Sequence, residues 1–272
     1  MSPSDKSGAP TGQRSGRPPS GKAARSQARE RLAAERAAQA AAQRRRDRML
    51  RIGLVALVVL VVIAIGAAVI ASRKPSVDTN AANPPGVTAT KGYPFGTVQT
   101  PVLDVYEDFQ CPNCKAFEAA NGAQIEALAT DGKAKVVYHV ISILDSLNGS
   151  GNTARSSTRS AAAGGCAQAQ GKFLQFHNAI YAAQPKEGVG YTDAALQQIG
   201  TTAGVPDQSA FDQCVTSGKY IGFVSQVNAE ADQRQVVGTP MFFVNGQQVN
   251  TSAAKSWNDV GRIVIQAVDQ AK

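Results

Sequence analysis

Cysteine is scarce in this 272-residue chain, and histidine scarcer still: four Cys and two His. Outside one Cys-x-x-Cys the thiols show no ligand-like spacing, so a zinc or copper centre finds no support and no metal site is expected. Phe, Tyr and Trp are absent from the first 51 positions, although these hold thirteen Lys/Arg. A basic segment without rings to stack on bases argues against nucleic-acid binding, despite a pI of about 9.5. The same stretch lacks a repeating apolar seam, which excludes a coiled coil. No internal repeat is visible, and none of the four thiols lies before position 111.

What is there is unevenly placed. Four acids offset the thirteen basic residues of 1–51, for a net +9 against a chain total of +8, so the remainder stands at −1. Residues 1–22 are Ser/Gly/Pro/Lys-rich and cannot bury a core; 23–49 favour a solvated helix. Residues 52–71 (IGLVALVVLVVIAIGAAVIA) contain no charge. Twenty apolar residues match the thickness of a hydrocarbon core, and the Arg-rich flank before them predicts a cytoplasmic N-terminus. A cleavable signal peptide, ending near Ala71, would have a shorter apolar core and a shorter leader. The expectation is an uncleaved single-pass anchor in the cell membrane, in contact with the lipid bilayer, with a basic cytoplasmic tail at 1–51. Pro- and Gly-rich residues 72–96 read as a flexible linker, and 97–272 as an extracytoplasmic domain in which disulfides persist.

Within that domain, residues 97–109 form an apolar strand and 115–130 a helix that Asn121-Gly122 could kink or split. Residues 135–144 (KVVYHVISIL) form a second strand. A block of helices follows at about 148–235, with Thr192 as an N-cap. After Gly238-Thr239-Pro240 come a strand, an Asn245-Gly246 hairpin and a closing amphipathic helix. The order predicts an α/β fold whose mixed sheet carries an inserted helical domain.

Cys111-Pro112-Asn113-Cys114 sits at the junction of the first strand and helix. A thiolate at Cys111 would face unpaired amides and the positive end of the helix dipole, both of which lower its pKa. So short a loop gains little entropy from a static crosslink, which favours a reactive pair: Cys111 as nucleophile, Cys114 as resolving thiol. Pro112 and Asn113 tune that pair and are expected to border bound substrate. Cys166 and Cys214 read as a structural disulfide tying two helices, or as a second redox pair relaying electrons. His177 fits a helix face, and His139 packs or meets solvent.

The CPNC motif, GGCAQAQGKFLQFHNAIYAAQ (164–184) and VVGTPMFFVNG (236–246) together resemble the DsbA-like thiol–disulfide oxidoreductases, the membrane-anchored actinobacterial members most of all. The resemblance implies a thioredoxin fold, a cis-proline at Pro240, and a Thr239 backbone free to pair with an extended substrate. It implies an enzyme that introduces disulfides into exported proteins, needs no cofactor, and is reoxidised by a quinone-linked membrane partner of the DsbB or VKOR kind. Family isomerases dimerise through a domain for which 72–96 leave no room, so a monomer is expected. A reductase or isomerase of the same fold is the alternative, with a metal-binding chaperone further off. Relatives carry a buried acid six residues before the first cysteine, where this chain has Val105. Asp104, Glu107 and Asp108 stand near, with Asp108 the best-placed substitute unless all three are solvated strand-end carboxylates.

Overall fold

The computed structural model describes residues 81–147, 153–186 and 188–271. The basic tail, the anchor at 52–71 and the first part of the linker therefore lie outside the described residues. Among the described residues no helix is long and apolar enough to cross a membrane.

Five strands make one mixed sheet in the order β1-β3-β2-β4-β5: β1 (Tyr93–Phe95), β2 (Val102–Glu107), β3 (Lys135–Val140), β4 (Met241–Val244) and β5 (Gln247–Gln248). β2 runs parallel to β3 and antiparallel to β4, with Val105 opposite both Tyr138 and Phe242. Both central segments, VLDVYE and KVVYHV, are buried on both faces, as strands flanked by helices on each side must be. The strand before the cysteines is shorter than the sequence suggests: pairing begins only at Val102 with β3 and at Leu103 with β4.

α1 (Pro112–Thr130) follows β2, with Pro112 in its first turn, where a missing N–H costs nothing. It runs through Asn121-Gly122 as one helix, contrary to the expected kink. The Asn121 amide donates to Phe117 O within the helix and to Trp257 O, 2.9 Å away, at the start of α7 (Trp257–Gln270). Asn121 is thus a bridge between helices rather than a breaker.

The helical insertion expected at about 148–235 is present between β3 and β4 as α2 (Ser156–Gln168), α3 (Phe173–Ala182), α4 (Asp193–Thr202), α5 (Gln208–Ser217) and α6 (Ile221–Gln233). Thr192 caps α4 through the Ala195 amide. Cys166 of α2 and Cys214 of α5 are joined in a disulfide, with Cα atoms 5.9 Å apart.

The linker is ordered where it can be seen. Tyr93 is 1% exposed and stacks on Phe173 at 3.9 Å, and β1 pairs antiparallel with β3. Gly92 lies so close to the sheet that a Cβ there would come within 2.2 Å of Val137. Gly92 and Pro94 read as linker residues, yet one allows a close approach and the other sits on an edge strand, where proline is tolerated.

On the α6 side of the sheet lies a buried ionic network. Asp104 accepts from Arg234 at 3.0 Å and lies 2.9 Å from His139 Nε2. Tyr106 donates to Glu230 at 2.7 Å and stacks on His139. Asp104 therefore serves this network, and His139 packs in it rather than facing solvent.

Candidate active site

Cys111 occupies the N-cap of α1 in extended backbone. Phe109 and Cys111 offer their carbonyls to the Gln184 side chain at 2.9 and 3.1 Å, which ties the loop to the end of α3. Both thiols are free, Cys111 6% exposed and Cys114 fully covered. Pro112 and Asn113 between them are exposed. The Cys111 thiol points to the carbonyl of Thr239, 3.4 Å away, and the Thr239–Pro240 bond is cis, as expected. The fold thus brings six of the predicted residues together from two segments: Cys111 at the N-cap with Pro112, Asn113 and Cys114 of α1, and Thr239 and Pro240 of the turn before β4.

The two sulfurs are electrostatically opposite. The Cys114 thiol beside it, ahead of an opposing burial effect, leads the influences that bring Cys111 down to about 6; the Thr239 side chain and the amides of Cys114 and Asn113 act in the same direction. Burial first, then its neighbour and the charge of Glu107, push Cys114 well above the usual thiol value. Thr239 Oγ1 is buried beside the sulfur, placed to donate to a thiolate there. At neutral pH the site therefore favours an anion at Cys111, which keeps a small opening to solvent, and a sealed thiol at Cys114.

Of the three nearby acids, Glu107 is the one turned toward the pair. It is fully buried, and burial pushes it up to about 8. Asp108, the substitute favoured by proximity, is spent on structure. Its carboxylate accepts from Gln110 N at 2.9 Å, Leu144 N at 3.0 Å and Ser157 Oγ at 2.7 Å, holding the strand exit in place. None of the three is solvated. Sequence reasoning missed Glu118, whose carboxyl meets that of Glu107, and took His177 for a plain helix-face residue, although its Nε2 lies 2.8 Å from Glu107. The signal was present in part: Glu118 follows Cys114 by four positions and shares its helix face.

A dithiol at the start of a helix, opposite a cis-proline turn on a mixed sheet with an inserted helical block, defines the redox-dithiol class of thioredoxin-like proteins. The thioredoxin family profile matches residues 89–264, and the chain belongs to that family. The DsbG disulfide bond oxidoreductase of Mycobacterium tuberculosis is 27% identical, with a TM-score of 0.51 over 72% of this chain and 85% of its own. The serine/threonine-protein kinase PknE of the same organism is 27% identical over 172 residues, 59% of this chain and 29% of the kinase. A Rickettsia prowazekii protein named as a protein-disulfide oxidoreductase is 33% identical over 100 residues, 36% of this chain and 35% of its own. The chain thus spans about a third of the length of either of these two relatives.

Proposed function

We propose that this protein is a membrane-anchored, extracytoplasmic thiol–disulfide oxidoreductase that introduces disulfides into exported proteins. The observation that carries the reading is the asymmetry of the two sulfurs, Cys111 facing the cis Thr239–Pro240 turn and lowered to about 6, Cys114 fully covered and raised. In the oxidised enzyme a substrate thiolate attacks Cys111, the Cys111–Cys114 bond breaks, and Cys114 leaves and takes up a proton. A second substrate thiolate then attacks the substrate sulfur of the mixed disulfide, and Cys111 leaves as a stable thiolate. A low-pKa leaving group speeds that step and stabilises the reduced enzyme, which makes the disulfide oxidising.

Thr239 and Pro240 border the Cys111 thiol, and a cleft of about 460 Å³ lined by Pro240, Met241 and Phe242 continues from them. An extended substrate lying there would bring its cysteine to Cys111. The Cys166–Cys214 bond is read as structural, since it joins two insertion helices. The uncharged run at 52–71 supports the anchor, with the catalytic domain outside and a quinone-linked membrane oxidase of the DsbB or VKOR kind restoring the disulfide.

The test is trapping. The Cys114→Ala variant, with Cys111 intact, is expected to accumulate mixed disulfides with exported proteins, and the wild-type protein is expected to oxidise a reduced model peptide. Capture of nothing by the variant, or net reduction of disulfides by the wild type, refutes the oxidase reading.

A further inference from the structure

The carboxyl cluster beside the dithiol has an outlet of its own. Glu118 lies one turn beyond Cys114 on α1, and one of its carboxyl oxygens lies within 4.8 Å of one of Glu107. Glu107 Oε1 and Glu118 Oε1 are both buried without a hydrogen-bond partner. Two carboxyls this close and this covered do not both ionise, so at least one of them holds a proton. The second Glu107 oxygen is 2.8 Å from His177 Nε2, and Nδ1 of that ring is 3.1 Å from Asn178 Oδ1. The Asn178 amide nitrogen donates to Glu126, which assigns its oxygen to the histidine. An amide oxygen only accepts, so Nδ1 carries a hydrogen and Nε2 faces Glu107. Glu107 accordingly sits between His177 and Glu118 in one line of titratable groups.

That line ends at solvent. Glu118 borders a groove of about 370 Å³ between α1 and α3, together with Lys115, Gly122, Glu126, Asn178 and Tyr181. Gly122 keeps the space open: a Cβ there would come within 2.6 Å of Glu118 Oε2. A mid-helix glycine costs about 1 kcal/mol relative to alanine, and here the vacated volume holds a carboxyl oxygen. No residue lining the groove belongs to the Thr239–Pro240 turn.

Resting on the thiol–disulfide reading above, we propose that Glu118 is the proton port of the dithiol, passing the proton that Cys114 gains or loses between Glu107 and the α1–α3 groove, through a mouth that substrate leaves open. When substrate thiolate opens the disulfide, the electron pair of the S–S bond leaves on Cys114, which takes a proton from the Glu107 carboxyl. Glu118 hands its proton to Glu107 and regains one from water in the groove. In reverse, Cys114 gives its proton to Glu107, and the thiolate so formed attacks Cys111 of a mixed disulfide, closing the new S–S bond and releasing the partner thiolate. The groups facing the glutamate pair are Cys111, Cys114 and Glu126 from α1, His177 and Tyr181 from α3, and Tyr138 from β3, with Lys115 at the groove wall. Burial above all, and then the charge of Glu107, push Glu118 well above the usual carboxylate range. Glu107 itself stands at about 8. Glu107 therefore carries a proton to give at neutral pH, and Glu118 is shifted in the same direction.

The experiment uses the full-length reduced protein and 5,5′-dithiobis(2-nitrobenzoate), followed by stopped flow. The first thionitrobenzoate released reports attack by Cys111, and the second reports resolution by Cys114. Glu118→Gln is expected to leave the rate and pH midpoint of the first release unchanged and to slow the second at least tenfold between pH 6 and 8. Formate is expected to restore the second release in Glu118→Ala and to do nothing for Glu107→Ala, whose cavity is sealed. If Glu118→Gln fails to fold, Gly122→Ala, which crowds Glu118 Oε2, is expected to slow the second release several-fold. A wild-type second release in either folded variant, no rescue by formate, or an equal slowing of the wild type by a metal chelator would overturn the port. Absence of the first release in the wild type would instead sink the thiol–disulfide reading on which it rests.

Discussion

Replacing Cys114 by Ala should make Cys111 a worse anion. The neighbouring thiol is the largest influence lowering Cys111, ahead of an opposing burial effect and the smaller contributions of Thr239 and two amides. With Cys111 titrating at about 6 against a reference of 9.0, roughly 90% is thiolate at pH 7, compared with about 1% for the unperturbed thiol. Intrinsic nucleophilicity falls with pKa at a Brønsted slope of about 0.4–0.5, so roughly three units of depression remove about 20-fold, leaving a net gain of about fourfold in attack at pH 7. The larger benefit is to Cys111 as a leaving group. The assay is iodoacetamide alkylation of the reduced protein from pH 4 to 10, under conditions that leave Cys166–Cys214 oxidised. The wild type should show a midpoint near 6 and Cys114→Ala a midpoint displaced upward. A one-unit displacement would cut the thiolate fraction at pH 6 from about a half to about a tenth. A wild-type midpoint near 9, or a variant that titrates with the wild type, refutes this account of the site.

Two further outcomes follow from groups around the dithiol. Glu107 has its folded pKa raised from 4.5 to about 8, so the native state binds more protons than the unfolded state between those values. Its contribution is fully present below pH 4.5 and is lost as pH rises through about 8, amounting to a few kcal/mol. Urea unfolding should therefore show Glu107→Gln losing less stability than the wild type from pH 5 to 9, and parallel curves would refute this. Replacing Cys166 and Cys214 together by Ala opens a loop spanning 48 positions and should cost about 4 kcal/mol of stability in the chain-entropy model. Alkylation of Cys111 should be unchanged in that variant, and a shifted Cys111 titration would count against a purely structural role.

Much of the site could be read from local pattern, because its chemistry depends on residues adjacent in the chain. Cys111 and Cys114 lie one helical turn apart after a β-rich run, and Thr239-Pro240 precedes a strand of four apolar residues. What escaped were contacts made across the fold. Glu107 and Asp108 are neighbours, but the pleat of β2 and its exit send one toward α1 and α3 and the other into backbone amides at 110 and 144. Proximity in sequence could not rank them, since successive strand residues face opposite ways. His177 lies 70 positions from Glu107, and no periodicity announces such a pair. β1 was hidden for a different reason: three residues are too few to alternate, and its anchoring depends on a ring from α3.

The sulfur that begins α1 also stands where a Ser or Asp would ordinarily secure a helix. No side-chain bond from it caps the helix, but the amides of Asn113 and Cys114 favour a negative charge there, and that charge is gone whenever the atom enters a covalent bond. Each turnover therefore removes and restores the charge at the front of the helix. A disulfide there forgoes the pull of the dipole, and passing the bond to a client recovers it.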